Sequence, residues 1–367
     1  MLSGSALKGL LRELLVGLLE RYSPTGEEGH AIEYLRDFME DRLGYDDVTV
    51  DSAGNLIASY GDGGRVVALV GHIDTVPGNA SVRVVNDTVF GRGAVDAKGP
   101  LTAAVIGAWL ARSHLSREDL RVVVAALVGE EGDSRGAKHL IRTGFRSDHL
   151  IILEPTGGFR VAIEYRGSAA LTLKCVARGG HSSNPSAVES ACDKLIKAWF
   201  LLREAFPSGG AGDFSAALTK LRCGDGGTVL PVNGVMEVNM RVPYGVGEDE
   251  LVRRLENVLR ALDGCCWQIT SFTRAVRAPV NSLTVRALYR ALIREGVKPG
   301  LARKLGTSDM NLLLGKVCGE AAAYGPGDPA LAHSNEEYVS LSELMLAARV
   351  YAGAILELRG FTVGRGR

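Results

Sequence analysis

Residues 66–74, VVALVGHID, and residues 122–131, VVVAALVGEE, decide the fold. Each is a run of β-branched and aliphatic residues without polar alternation, the pattern of a parallel strand covered by helices on both faces. Each ends in side chains that carry chemistry: His72 and Asp74 after the first run, Glu130 and Glu131 after the second. LIIL at 150–153 repeats the arrangement, with Glu154 behind it. In open α/β sheets the crevice lies beyond the carboxyl ends of the strands, so residues distant in sequence converge there. The expectation is an α/β catalytic domain with a mixed, mainly parallel sheet and helices on both faces. Its strand-end pocket would also collect Asp96 of GRGAVDAKG (91–99) and His333 of LAHSNEE (331–337). Together these side chains suit a two-metal hydrolase.

A chain of 367 residues with 46% hydrophobic content is long enough for two cores, taking roughly 100 to 200 residues per domain. Lys plus Arg equals Asp plus Glu at 42 each, which leaves no global charge to attract nucleic acid or an anionic membrane. The opening LSGSALKGLLRELLVGLLE is broken by Lys8, Arg12, Glu13 and Glu20 at amphipathic spacing, and it reads as a first helix rather than a signal peptide. No stretch reaches the ~18 uninterrupted apolar residues of a membrane span, so a cytoplasmic protein is expected. Cys175, Cys192, Cys223, Cys265, Cys266 and Cys318 show no C-x-x-C spacing. That argues against a zinc knuckle or a disulfide scaffold and for mostly buried small hydrophobes, with the pairing of the adjacent Cys265 and Cys266 left open.

After about residue 160 the pattern changes. AALTLKCVA alternates as a half-buried strand, a helix is expected from Ala187 to about Phe206, and SAALTKLRC and GVMEVNMRVPY are strands. An amphipathic EDELVRRLENVLRALDG and a last strand near WQITSF complete a β-α-β-β-α-β order, a self-sufficient ferredoxin-like α+β unit. The expected organisation is a catalytic domain at 1–162, an inserted domain at 163–274, and a return to the catalytic domain at 275–367. The return would hold a helix near Leu283 to Glu295, a GTSD loop, and a final helix opened by a capping box at Ser340 and Glu343.

The residue types fit the chemistry. In His72-x-Asp74 both side chains share one face of an extended segment. An imidazole that binds metal commonly gives its other N–H to a carboxylate, a role open to Asp74, although a plain turn pair reads equally well. Asp96 is short enough to bridge two cations, or to cap the helix that follows. GRGAVDAKG lacks the third glycine of a dinucleotide fingerprint. Adjacent glutamates point in different directions, so Glu131 suits a ligand while Glu130 suits a general base. Glu154, stiffened by Pro155, fits a terminal ligand or an ion-pair partner. His333 alone reads as an ordinary loop histidine; the set gives it meaning.

GHIDTVP, GRGAVDAKGP, GEEGDSRGA, EPT, GGHSSNP, GTSD and AHSNEEYV follow one another along nearly the whole chain. In that order and spacing the sequence resembles the co-catalytic zinc amidohydrolases related to aminoacylase, carboxypeptidase G, acetylornithine deacetylase and succinyl-diaminopimelate desuccinylase. The resemblance implies amide hydrolysis, with Asp96 bridging, His72 and Glu154 completing one metal site, and Glu131 and His333 the other. Glu130 would be the base, and the metals Zn²⁺, or Co²⁺ or Mn²⁺. It further implies that the inserted domain is a lid and dimerisation domain of a homodimer. There, His181 of GGHSSNP would help hold the oxyanion and Arg241 of EVNMRVPY would clamp a substrate carboxylate; a turn histidine and a strand arginine are the bland alternatives.

Glutamate at position 154, with IEYRGS and KLGTSDMN, looks most like the branch that releases lysine or ornithine from the terminal glutamate side chain of an amino-group carrier protein. In that branch Arg241 and the loop Gly306, Thr307, Ser308 and Asp309 would hold the free amino acid end. The acidic carrier would dock on basic surface such as Arg303 and Lys304, unless these are only solvated loop charges. Acetylornithine or succinyl-diaminopimelate deacylation would use the same metals. A non-catalytic binding protein would be expected to have lost the base or a ligand, and here both are present.

Overall fold

The computed structural model describes residues 3–78 and 81–360. The outermost residues of the expected 1–162 and 275–367 segments, and of the opening apolar stretch, therefore lie outside the described residues. The chain opens with α1 (Gly4–Glu20) and α2 (Gly29–Asp37), followed by β1 (Asp47–Val50), β2 (Leu56–Tyr60), β3 (Val66–His72), β4 (Arg83–Val85) and β5 (Thr88–Phe90). Next come α3 (Lys98–Arg112), β6 (Arg121–Leu127), α4 (Arg135–Arg142), β7 (His149–Leu153) and β8 (Arg160–Tyr165). A middle section holds β9 (Gly167–Val176), β10 (Gly180–His181), α5 (Ala191–Ala205), β11 (Ser215–Cys223), β12 (Val229–Leu230), β13 (Asn233–Val242), α6 (Glu248–Leu259), β14 (Cys265–Thr273) and β15 (Val276–Arg277). The last part is α7 (Leu283–Arg294), β16 (Gly300–Lys304), α8 (Met310–Leu313), β17 (Ala321–Tyr324), β18 (Tyr338–Ser340) and α9 (Leu341–Gly360).

These elements form two compact units: residues 1–163, 278–302 and 312–367, and residues 164–277 with 303–311. The second unit thus takes in the GTSD loop, which the sequence reading left in the returning segment.

In the first unit the strand order is β1-β2-β6-β3-β7-β17-β8. β3 runs parallel to β6 and β7, and β17 parallel to β7, while β2 meets β6 and β17 meets β8 antiparallel. Every residue of β7 and β17 and all but the first of β3 and β6 are buried, as a sheet covered on both faces requires. Gly71 lets the chains close up beside the site, because a Cβ there would stand 2.7 Å from the Leu153 Cβ. α1, α3, α7 and α9 pack into one apolar cluster against the strands. Helix α9 starts at the expected capping box, with Ser340 Oγ accepting from Glu343 N–H and Glu343 accepting from Ser340 N–H. Among the described residues, no helix is long and apolar enough to cross a membrane.

The second unit is a four-stranded antiparallel sheet ordered β11-β13-β9-β14, with α5 and α6 packed on the inward residues of its strands. Helix α5 begins at Ala191, later than the expected Ala187, because Ser190 and Asp193 form a reciprocal cap there. The cysteine expectation is corrected. Cys175 is joined to Cys265 and Cys192 to Cys223, leaving Cys266 exposed and Cys318 buried as free thiols. Cys175 and Cys265 are directly opposite partners of β9 and β14, a proximity set by strand register and invisible in residue spacing.

Candidate metal centre

The first unit brings its chemistry to the carboxyl ends of the parallel strands. β3 ends in His72, β6 leads through Gly129 into Glu130 and Glu131, and β7 leads into Glu154. Gly129 has φ +75°, a conformation that favours glycine, and it turns the chain so that the glutamates follow at once. Asp96 comes from the turn between β5 and α3, and the Asp96–Ala97 peptide is cis. His333 lies in the loop before β18 with φ +63°, a left-handed conformation that costs a residue with a Cβ about 1–2 kcal/mol.

Donor atoms of His72, Asp96 and Glu131 all lie within 4.8 Å of one another. His333 Nε2 joins them at 2.8 Å from Glu131 Oε1 and 3.3 Å from Asp96 Oδ2. His72 is buried, whereas the His333 side chain is 49% exposed. Glu154 is buried in the same row of strand ends but falls outside the tight group. Glu130 is half-buried beside Glu131.

His72 Nδ1 lies 2.9 Å from the carbonyl oxygen of Asp74. A carbonyl only accepts, so Nδ1 carries the proton, and Nε2, 3.2 Å from Asp96 Oδ1, is the atom able to exchange a proton for a cation. The expected imidazole–carboxylate partner stands at the same nitrogen, with Asp74 Oδ1 3.5 Å from His72 Nδ1, so both the carbonyl and the carboxylate of Asp74 face the ring. The carboxylate has other partners: the N–H groups of Glu130 (3.0 Å) and Glu131 (3.1 Å) and the hydroxyl of Thr25 (2.6 Å). Asp74 therefore pins the glutamate turn. Thr25 carries no catalytic signature in SPTGEE; a parallel bridge between Pro24 and Thr75 brings it there.

The cluster's electrostatics follow from crowding acids and imidazoles. Burial works against charge on His72, but its hydrogen bonds to Asp74 and Asp96 and the field of Glu130 raise its pKa well above the ordinary value. Hydrogen bonds to Asp96 and Glu131 push His333 up to about 10 against the effect of burial. Burial pushes the Asp96 carboxyl up, yet hydrogen bonds from His333 and His72 hold it well below the usual carboxylate range. Asp74 is likewise lowered, burial being outweighed by His72, Thr25 and the Glu130 N–H.

The second unit holds the other singled-out residues. His181 is exposed on β10, its Nδ1 accepting from Ser183 N–H at 3.1 Å. Arg241 on β13 donates to Thr307 Oγ1 at 3.3 Å, and burial lowers its pKa. Arg166, which the sequence reading passed over, is buried and donates to the carbonyls of Leu305 (2.9 Å) and Asp213 (3.1 Å). Burial and then the charge of Arg241 lower its pKa, so two guanidinium groups share one neighbourhood. Asn311 secures the loop by donating to the carbonyls of Arg166 and Arg274 and accepting from Ser308 N–H. Ser308 and Asp309 are buried and Gly306 and Thr307 partly so. Arg303 is exposed and stands 3.5 Å from Glu164; Lys304 is half-buried.

Comparison with known proteins bears on this arrangement. The chain is 41% identical over 355 residues to a protein of Aeropyrum pernix, covering 95% of this chain and 96% of that one. It is 35% identical over 348 residues to the LysW-lysine/LysW-ornithine hydrolase of Sulfurisphaera tokodaii, covering 95% of each. Its fold superposes on the Bacillus subtilis YXEP protein, a dinuclear metal binding peptidase, with a TM-score of 0.72 at 14% identity over 96% of this chain and 99% of that one. Residues 68–357, which include every strand end and loop of the acid and imidazole cluster, match peptidase family M20/M25/M40, and to that family this chain belongs.

Proposed function

We propose that this chain is a dinuclear metal-dependent amide hydrolase that releases lysine or ornithine from the terminal glutamate side chain of an acidic amino-group carrier protein. The observation that carries the metal reading is His333 Nε2 held between Glu131 and Asp96, with His72 Nε2 on the other oxygen of Asp96. Two imidazoles and two carboxylates aim their donor atoms at one another, and the mixed nitrogen and oxygen set suits Zn²⁺, with Co²⁺ or Mn²⁺ as alternatives. The name of the Sulfurisphaera tokodaii relative supports the substrate.

In this reading His72 and Glu154 would hold one ion and Glu131 and His333 the other, with Asp96 as the ligand common to both sites. Bound there, two cations supply Lewis acidity toward the amide carbonyl and toward a water. The protein does the rest. Asp74 holds the backbone of Glu130 and Glu131 in place, so the Glu130 carboxylate can take a proton from the attacking water and return it to the departing α-amine. The second unit acts as a ferredoxin-like lid and dimerisation domain of a cytoplasmic homodimer. Its Arg241, with Gly306, Thr307, Ser308 and Asp309, receives the free amino acid end, the guanidinium pairing with the α-carboxylate. His181 assists the oxyanion, and Arg303 and Lys304 face the acidic carrier.

Mass spectrometry of products from carrier-linked lysine, carrier-linked ornithine, acetylornithine and succinyl-diaminopimelate, offered side by side, tests the substrate. Preference for the carrier conjugates is expected. Preference for a free acylated amino acid would keep the reaction and overturn the carrier.

A further inference from the structure

Glu337 has no place in the chemistry just described, yet it is a buried carboxylate with a full set of donors. Its Oε1 accepts the N–H groups of Val95 (2.9 Å) and Asp96 (2.8 Å). Its Oε2 accepts the N–H of Gly93 (2.9 Å) and Arg92 Nη1 (3.2 Å). Its own carbonyl accepts Gly91 N–H at 3.0 Å. The whole turn from Gly91 to Asp96 is therefore hung on one residue 241 positions away from Asp96.

The strands explain how. β18 pairs antiparallel with β5, Tyr338 opposite Phe90 and Ser340 opposite Thr88. Just past that ladder the two chains separate into the turn that carries Asp96 and the loop that carries His333. Glu337 stands at the fork. We propose that Glu337 is a positioning residue for the metal centre, fixing the backbone of Asp96 against the His333 loop so that the shared ligand and one terminal ligand arrive in register. The inference rests on reading His72, Asp96, Glu131, Glu154 and His333 as metal ligands.

Only a carboxylate fits the post. Glutamine offers one acceptor oxygen, and its NH₂ would face either the Gly93 and Arg92 donors or the Val95 and Asp96 N–H groups, donor against donor. Charge-assisted bonds from several donors hold the carboxylate in place despite its burial.

The test is calorimetric titration of metal-stripped wild type, Glu337→Gln and Glu343→Ala with Zn²⁺, alongside thermal unfolding. Glu343 sits in the α9 capping box, so its variant reports a loss of stability that has nothing to do with metal. Glu337→Gln is expected to weaken both equivalents by about 10–100-fold, the usual effect of losing a partner behind the ligands, while Glu343→Ala, which removes half of the capping box, lowers the unfolding temperature and leaves zinc affinity alone. Two equivalents at wild-type affinity in Glu337→Gln would overturn the inference by itself. Fewer than two equivalents in wild type would overturn it together with the two-metal reading. Hydrogen exchange of metal-free wild type covers a variant that does not fold: slow exchange across residues 93–96 supports the anchor, and fast exchange there overturns it.

Discussion

His333 Nε2 lies 2.8 Å from Glu131 Oε1 across 202 residues of sequence, and the same nitrogen is 3.3 Å from Asp96 Oδ2. On the proposed assignment of His333 as a terminal ligand and Asp96 as the shared one, removing them has different consequences. His333→Ala is expected to cost one metal equivalent and Asp96→Ala to weaken both, as read by elemental analysis after dialysis. Equal losses in the two variants would mean that the bridge is wrongly assigned.

Glu130 reaches Asp74 through its backbone N–H, 3.0 Å from Oδ1, so truncating its side chain leaves that anchor intact. Glu130→Ala should keep fold and metal content while turnover falls by about 10²–10⁴, the usual range for general acid–base catalysis. A variant that retains near wild-type kcat with full metal would remove Glu130 from the base role.

Asp74 is fully buried and serves three donors, the N–H groups of Glu130 and Glu131 and the Thr25 hydroxyl. Asp74→Ala strands them, at about 1–3 kcal/mol for each buried group left unsatisfied. Thr25→Val removes one donor and should cost about 1 kcal/mol. Chemical denaturation of the metal-free proteins measures both. A Thr25→Val loss as large as that of Asp74→Ala would contradict the idea that the two N–H bonds dominate.

Metal uptake should release protons. In the metal-free protein hydrogen bonds to Asp96 and Glu131 push His333 up to about 10, so its imidazole is protonated at pH 8, and hydrogen bonds to Asp74 and Asp96 raise His72 as well. A cation takes only the neutral form. Apparent zinc affinity should therefore climb as pH rises toward 10, and calorimetry in buffers of different ionisation enthalpy should show a heat that tracks the buffer. Heats independent of buffer would mean that these nitrogens are not the ligands.

Much of the site was legible because its signals are local. The unbroken apolar runs of β3, β6 and β7 announce buried parallel strands, and the residues that follow them stand where strand ends converge. What was not legible is that the Asp74 carboxylate, besides facing His72, ties down the glutamate turn, and that the Asp74 carbonyl takes the closer bond to His72; both need the three-dimensional path of the chain. Arg166 and Glu337 were missed because each acts largely through backbone groups that no residue pattern encodes, and Thr25 because its hydroxyl reaches the Asp74 carboxylate only where the chain brings Pro24 beside Thr75. The disulfides escaped because Cys175 meets Cys265 through strand register across 90 residues.

The most direct measurement is the rate of free lysine release from carrier-linked lysine as Zn²⁺ is added stepwise to metal-stripped enzyme. The rate should rise to its plateau at two equivalents per chain, with Glu130→Ala binding the same two and staying near the baseline. A full rate at one equivalent or none, or a Glu130→Ala trace that overlays wild type, would contradict the account.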